Sequence, residues 1–271
     1  MTERCPELSD AQAIYVFAVC RKPDLSAVAG LRGVTDEAPV SSLSLGALTA
    51  IVQTVRAADF TDEVWQARLS DQRELERYAR AHHDVVAAVA ARCPTVPLPM
   101  ATLYHGAQSA REALAKEGDR FRAALKRIAH HAEWGVKVYA PPCRRDEDVR
   151  TPVRQAVPAE RSRPGPGAGL AYLNRKRGAQ ERREQIQDEA LRTAEAVDTE
   201  VRSLATASRR LRPHAQPPSG ERRVQVLNAT YLVAEHRAEE LALLTRALGE
   251  RTGARIELSG PWVPYSFVGE V

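Results

Sequence analysis

Two kinds of apolar pattern alternate along this 271-residue chain, and their order constrains the fold more than any other feature. Runs rich in β-branched and aromatic residues indicate strands, whereas apolar residues spaced three and four apart indicate amphipathic helices. The predicted strands cover residues 13–20, 40–55 (a two-stranded hairpin), 134–142, 222–234 and 254–260. The predicted helices cover residues 71–92, 109–132, 170–211 and 235–250. This order predicts an α+β fold of two domains, residues 1–133 and 134–271, each with helices on one face of a sheet.

Local signals at the ends of these elements support the assignment. Asp71 is a predicted N-cap, with Glu74 three residues later as its capping-box partner. Gly46 is typical of the tight turn in the predicted hairpin. Gly118 weakens the second predicted helix, and Gly249 is a predicted C-cap of the last one. The elements are therefore predicted from turn and capping chemistry as well as from periodicity.

The predicted helix over residues 170–211 carries a heptad-like repeat in its second half. The repeating positions, at steps of four and three, are Ala190, Ala194, Val197, Val201, Leu204, Ser208 and Leu211. This spacing predicts a coiled-coil-like seam, which its small residues make weak. The seam serves either self-association or packing within its own domain, and the sequence leaves both open.

Residues 143–168 differ in composition from the segments that flank them. They are rich in proline, glycine and charge and have no hydrophobic period, which predicts a mobile loop. The stretch 143–183 holds eleven Lys or Arg and five Asp or Glu, so its net charge of +6 exceeds the +4 of the whole chain. Within it, Arg175, Lys176 and Arg177 are candidate contacts for an acidic partner.

Motifs for catalysis, cofactor binding or metal binding are absent from the sequence. It contains no GxxxxGK[ST] phosphate loop, no GxSxG nucleophile elbow and no CxxC pair. The four cysteines are separated by 15, 73 and 50 residues, which favours reduced thiols over a disulfide scaffold or a zinc site. We therefore expect no catalytic residues, no cofactor and no metal. No apolar signal region or membrane-spanning run is found, so a cytoplasmic location is expected.

Four of the seven histidines form two adjacent pairs, one of which is His82 and His83. Adjacent helical residues point in different directions, so a pair of this kind is not a natural chelate. His82 lies on the apolar stripe of its helix and is predicted to be a core histidine with one hydrogen-bond partner. His83 with Asp84 would support acid–base chemistry only if a nucleophile approached from elsewhere, and the sequence offers no candidate.

The end of the chain is unusually apolar for a terminus. Residues 260–268, named here the C-terminal segment, hold three aromatics and two prolines, although aromatics are only 5% of the chain. The candidate functional residues are Pro261, Trp262, Pro264, Tyr265 and Phe267. The prolines restrict φ and favour an extended path, and burial of each aromatic is worth roughly 1.5–3 kcal/mol. Either the segment is a staple that stabilises the fold, or it presents aromatic anchors to a partner.

Several stretches of the chain resemble the gas vesicle protein GvpF/GvpL family. The end, SGPWVPYSFV, is similar to the closing motif of that family, GPWPPYSF, with Val263 in place of the central proline. Other similar stretches, in the same order, are IYVFAV, ARAHHDVVAAVAARCPTVPLPMATLY, GVKVYA and GLAYLNRKR. A PLRFG-like motif of the family is replaced by PLPMA at residues 97–101, which lacks the arginine and the glycine. The resemblance covers nearly the whole chain.

The resemblance implies a specific fold and function. It implies a ferredoxin-like N-terminal domain and a related C-terminal α+β domain with added helices. It also implies a non-enzymatic accessory or minor structural protein of gas vesicles, the hollow protein shells that hold gas inside prokaryotic cells. Such a protein binds the major shell protein (GvpA-like), with other minor gas vesicle proteins as further partners, and helps to nucleate or assemble the shell. Association with the gas vesicle, and with neither nucleic acid nor membrane, is expected.

Two other functional classes remain as alternatives. The first is a nucleic-acid or acidic-surface binder that uses the basic stretch 143–183, and its affinity would fall steeply with added salt. The second is an enzyme of unknown type, which a large pocket lined by convergent polar groups would support.

Overall fold

The protein contains six α-helices and nine β-strands within the residues that the computed structural model describes, which are 11–140, 168–212 and 224–269. The strands are β1 (Gln12–Cys20), β2 (Val40–Leu45), β3 (Leu48–Arg56), β4 (Thr95–Pro97), β5 (Leu103–Tyr104), β6 (His131–Tyr139), β7 (Ala207–Arg210), β8 (Gln225–Ala234) and β9 (Arg255–Trp262). The helices are α1 (Asp62–Ser70), α2 (Gln72–Ala90), α3 (Gly106–Lys116), α4 (Gly118–Ile128), α5 (Ala168–Leu204) and α6 (Ala238–Thr252). The fold is therefore α+β, as the sequence predicts.

The first sheet is antiparallel and has the strand order β2-β3-β1-β4, with β5 also paired to β1. The predicted hairpin is confirmed, since β2 and β3 pair from Val40 with Gln53 to Leu45 with Leu48. Gly46 takes a positive φ of 77° in the turn, a conformation that costs glycine little. The order is the one that a ferredoxin-like sheet requires, although a loop with a short 3-10 turn replaces the first crossover helix.

Both faces of the first sheet are covered, which corrects the expectation of helices on one face only. One face packs against α3 and α4 through residues such as Val16, Leu114 and Phe121. The other face packs against α2 through residues such as Phe17 and Val86. Strand β1 lies between the two layers, so all of its residues except the first are buried. Its unbroken apolar sequence is the signal typical of a strand buried on both faces.

The second sheet has the order β7-β8-β6-β9, and α5 packs against α6 in the same unit. The predicted heptad positions on α5 are buried within the chain itself, and these are Ala190, Ala194, Val197, Val201 and Leu204. The predicted continuation to residue 211 is wrong, because the helix ends at Leu204 and β7 follows. Ser208 and Leu211 therefore do not extend the seam. The seam packs within its own unit, as one of the two interpretations requires.

Several predicted element ends need correction. Asp71 is confirmed as an N-cap, because its carboxylate accepts hydrogen bonds from the backbone N–H groups of Arg73 and Glu74. The preceding helix α1 is not predicted by the sequence pattern, since none of its residues is buried. The predicted helix 109–132 is two helices, α3 and α4, that meet at Gly118. The last helix is capped by Gly253 in the left-handed conformation rather than by the predicted Gly249.

The contacts divide the chain into two compact units. The first unit comprises Met1–Glu133, Leu232–Glu235 and Gly260–Val271, and the second comprises Trp134–Tyr231 and His236–Ser259. One division falls at the predicted boundary after residue 133, whereas the C-terminal segment groups with the first unit. Two separately folding domains, 1–133 and 134–271, stay a prediction. The predicted loop over 143–168 lies, apart from its last residue, outside the described residues.

Candidate functional site

The C-terminal segment, residues 260–268, begins as the end of β9 and turns back as a short 3-10 helix over Tyr265–Phe267. The expected extended path therefore holds only as far as Trp262. Pro261 follows a cis peptide bond and is exposed, whereas Pro264 is buried and immediately precedes the turn. The turn places neighbouring aromatic residues on opposite sides of the segment.

One side of the segment is buried in the first unit. Phe267 is only 6% exposed, and Val268 belongs to the apolar cluster that contains Phe121 and Ile128 of α4. Val263 packs against the apolar cluster on the other face of the first sheet. These side chains lose most of their apolar surface to the interior, so this side of the segment stabilises the unit.

Polar contacts hold the same side in place. The backbone N–H and the hydroxyl of Ser266 both donate to the carboxylate of Glu133, at 2.9 Å and 2.5 Å. The guanidinium of Arg127 donates to the backbone carbonyl of Phe267. Glu133 is 6% exposed, and hydrogen bonds to a buried carboxylate contribute more than neutral ones. These anchors leave no signal in the sequence, because the partners are more than a hundred residues apart in the chain.

The other side of the segment carries two aromatic rings that remain in contact with solvent. Trp262 is 50% exposed and Tyr265 is 38% exposed. Both rings lie on α2, with their centroids 6.2 Å from the imidazole of His83. His83 therefore contacts both of these aromatic rings. Asp84, its neighbour in the sequence, is not part of these ring contacts. We name Trp262, Tyr265 and His83 the aromatic platform.

A pocket of about 540 Å³ lies beside the aromatic platform, within the first unit. Residues from α2, from the end of α4 and from the C-terminal segment form its walls, and they include Ala87, Cys93, Ile128, His130, Pro261 and Val263. The walls are mainly apolar, so the pocket suits an apolar side chain better than a polar substrate.

His82 faces away from the platform and is buried. It is 2% exposed, and its Nδ1 atom lies 2.9 Å from the hydroxyl of Tyr15. The backbone N–H of Ala101 donates to the same hydroxyl, so the Tyr15 proton is directed to His82. Burial lowers the pKa of His82 to about 4, which keeps the ring neutral at pH 7. The predicted core histidine with one partner is confirmed.

Ala101 occupies the position at which the PLRFG-like motif has glycine. Its φ of 60° lies in the left-handed region that favours glycine. Alanine at this position therefore adopts a backbone conformation that glycine would adopt at lower cost.

The three candidate basic residues, Arg175, Lys176 and Arg177, lie on α5. The side chains of Lys176 and Arg177 are exposed, and they share a surface depression of about 470 Å³ with Glu181 and Glu184. The carboxylates of Glu181 and Glu184 lie about one and two helical turns away and offset the positive charge of these two side chains, so the surface here is not purely basic. Most of the other basic residues of the stretch 143–183 lie outside the described residues.

Among the described residues, no group of three or more His, Cys, Asp or Glu side chains is arranged to hold a metal ion. None of the helices in residues 11–140, 168–212 and 224–269 combines the length and the apolarity that a membrane span needs.

Comparisons with known proteins point to one family. The family model described as "Gas vesicle synthesis protein GvpL/GvpF" matches residues 13–269. Gas vesicle protein L from Streptomyces sp. (strain CB03234) is 36% identical over 255 residues, which are 94% of this chain and 92% of that protein.

Two solved structures have a similar fold. Gas vesicle protein GvpF from Anabaena sp. PCC7120 gives a TM-score of 0.64 at 13% identity, over 96% of this chain and 98% of that one. GvpF from Microcystis aeruginosa gives 0.60 at 14% identity, over 95% and 99%. At these identities the likeness concerns the fold alone.

Proposed function

This chain belongs to the gas vesicle synthesis protein GvpL/GvpF family, and we propose that it assists assembly or nucleation of the gas vesicle shell by binding the major shell protein. In this proposal it acts through protein–protein contacts and not through catalysis. Its location is the gas vesicle or the cytoplasm in which the vesicle grows, and other minor gas vesicle proteins are further partners.

The observation that carries the proposal is the division of the C-terminal segment into two sides. Phe267 is held in the interior, whereas Trp262 is half exposed above His83. Tyr265 lies at the same distance from His83 and is 38% exposed, and burial of its hydroxyl raises the pKa of this side chain. A monomer that needed the segment only for stability would gain by burying all three rings. Tryptophan and tyrosine held rigidly at a surface are typical of the residues that dominate binding energy in protein interfaces.

The pocket next to the platform gives the proposed contact a shape. A partner that buried the exposed fraction of both rings would gain on the order of 1–2 kcal/mol from each. Its own apolar side chain would enter the pocket of about 540 Å³ beside Pro261 and Val263. A buried anchor surrounded by rigid aromatic residues is the usual centre of a specific interface.

The experiment is a pull-down of the purified major shell protein by this chain. The double variant Trp262→Ala/Tyr265→Ala is compared with the wild type and with Leu243→Ala, a matched control that removes a side chain 60% exposed on α6. Each variant is first checked by circular dichroism and thermal melting.

We expect the platform variant to bind the shell protein roughly tenfold more weakly or worse, and the Leu243 variant to bind as the wild type does. Equal binding by all three would overturn the platform as the docking surface. Absence of binding by the wild type would overturn direct contact with the shell protein.

A further inference from the structure

The strands at the edges of the two sheets differ in how well they are protected against joining a further strand. An edge strand has unpaired backbone N–H and C=O groups along one side, and proteins protect such edges with charged residues, prolines or very short strands. The orders β2-β3-β1-β4, with β5 also paired to β1, and β7-β8-β6-β9 define the edges. They are β2 and the β4/β5 side in the first sheet, and β7 and β9 in the second.

Three of these edges carry such protection. Strand β4 has three residues, all buried, and ends at Pro97, while β5 has two residues. Strand β7 ends in the exposed Arg209 and Arg210. Strand β9 carries the charged residues Arg255 and Glu257. Each of these three edges is therefore poorly suited to pairing with a further strand.

Strand β2 carries none of these protections. Its sequence, VSSLSL, has no charged residue and no proline, and it pairs with β3 from Val40 to Leu45 without a bulge. Within the described residues, residues 40–45 make no backbone hydrogen bond outside that pairing. Since every second residue of an antiparallel strand directs its N–H and C=O away from its neighbour, the outer side of β2 presents a row of backbone groups to solvent.

The side chains of β2 leave this edge accessible. Ser41, Ser42 and Ser44 are exposed, and serine is too small to cover the neighbouring backbone. Leu43 and Leu45 lie on the face that packs against α3 and α4, where Leu43 is buried and Leu45 is partly buried. A further strand at this edge would therefore extend both the backbone hydrogen bonds of the sheet and the apolar cluster on that face.

We propose that β2 pairs with β2 of a second copy of this chain, antiparallel and about a two-fold axis perpendicular to the sheet, so that the first sheets of the two copies join. The inference rests on this edge and is independent of shell-protein binding.

A second copy is the occupant because the edge is complementary to itself. About the two-fold axis, each side chain of β2 lies opposite one from the same face of the partner strand. Leu43 and Leu45 then meet leucine or Ser41, and Ser42 and Ser44 meet serine or Val40. The chain as a whole has a net charge of +4, but the uncharged β2 brings no like charges together. A charged strand from another protein would find no opposite charge here.

The size of the contact sets its strength. Stable interfaces bury about 1,200–2,000 Å² in total, and a pair of six-residue strands falls at the low end of this range or below it. We therefore expect a reversible dimer with a Kd on the order of 10–100 µM.

The first test measures the mass of the full-length protein by sedimentation equilibrium between about 1 µM and about 1 mM, a range that brackets the expected Kd. The wild type should change from monomer to dimer. Ser42→Lys places two positive charges at the shared edge and should weaken dimerisation at least about tenfold. Ser109→Lys, which changes an exposed serine on α3, is the matched control and should behave as the wild type does. Circular dichroism and thermal melting check that each variant is folded.

Hydrogen exchange read by mass spectrometry locates the contact. In the wild type, peptides that cover residues 40–45 should exchange more slowly at high than at low protein concentration, whereas peptides of α6 should not change. The slowing should be lost in Ser42→Lys.

A wild type that stays a monomer over the whole range of concentration would overturn the proposal. A dimer that Ser42→Lys leaves intact, with unchanged exchange in residues 40–45, would overturn β2 as its contact. Slower exchange of these residues only when the major shell protein is added would overturn the second copy as the occupant of the edge.

Discussion

The buried and the exposed sides of the C-terminal segment have similar composition and different contacts. Phe267 is 6% exposed, whereas Trp262, five residues earlier, is 50% exposed and has its ring 6.2 Å from the imidazole of His83 on α2. Aromatic content alone therefore does not tell whether a terminal segment stabilises the fold or contacts a partner. We propose that in this chain the two roles fall on opposite sides of one short turn.

The same contrast occurs on α2 between adjacent histidines. His82 is buried against Tyr15 and is kept neutral, whereas His83 supports the aromatic platform at the surface. Loss of a buried group should change stability, and loss of a platform group should change binding.

The largest effect is expected for Phe267→Ala. Removing this buried ring leaves a cavity, so the free energy of unfolding should fall by about 3 kcal/mol. Binding of the shell protein per folded molecule should not change. Chemical denaturation measures the stability, with Leu243→Ala as the exposed control. A loss below about 0.5 kcal/mol would mean that the buried side does not stabilise the unit.

The next largest expected effect is a loss of folding stability at acidic pH. The pKa of His82 is about 4 in the folded protein, against 6.5 for a free imidazole, so the unfolded chain takes up this proton first as the pH falls. The stability that neutral His82 contributes is complete above about pH 6.5. It declines below that value and is lost once the pH passes about 4, a total of about 3 kcal/mol.

His82→Asn isolates this contribution, because asparagine can still accept the hydrogen bond from Tyr15 and does not titrate. Denaturation of both proteins is measured between pH 4 and pH 7. The wild type should lose more stability than the variant over this range. Parallel curves would contradict a depressed pKa at His82.

A smaller effect is expected for Glu133→Gln. The substitution removes the charge and one of the two acceptors that hold Ser266, so the free energy of unfolding should fall by about 2 kcal/mol. Glu76→Gln is the matched control, because Glu76 pairs with Arg80 on the exposed surface of α2 and should contribute little. Equal losses in thermal melts of the two variants would show that the buried carboxylate is not an anchor.

The smallest effect on stability is expected for Trp262→Ala. Since half of this ring is already in water, the free energy of unfolding should fall by no more than about 1 kcal/mol. Binding of the shell protein should weaken clearly. A fall as large as that of Phe267→Ala, with binding unchanged, would support the staple interpretation for the whole segment.

Much of the fold follows from local sequence signals. The cap at Asp71 and the turn at Gly46 depend on residues within a few positions of each other, and both predictions are confirmed. The end of α5 cannot be predicted from local signals. The heptad spacing continues to residue 211, but the helix ends at Leu204 because the following residues form β7, which pairs with β8. Tertiary pairing overrides a weak helical period there. Helix α1 is missed because it buries none of its residues and so has no apolar stripe.

The site is less predictable than the fold. The sequence points to the C-terminal segment through its aromatics and prolines, but which ring is buried depends on contacts with Glu133, Arg127 and His83. These residues come from α2, α4 and β6, and no local pattern joins them to the segment.

We propose that the aromatic platform is the surface that meets the shell protein. Hydroxyl-radical footprinting of the wild-type protein, read residue by residue with and without the purified major shell protein, tests it most directly. We expect oxidation of Trp262 and Tyr265 to fall when the shell protein is added, whereas oxidation of the exposed Leu243 stays the same. Unchanged oxidation of both platform rings in a complex that has demonstrably formed would contradict it.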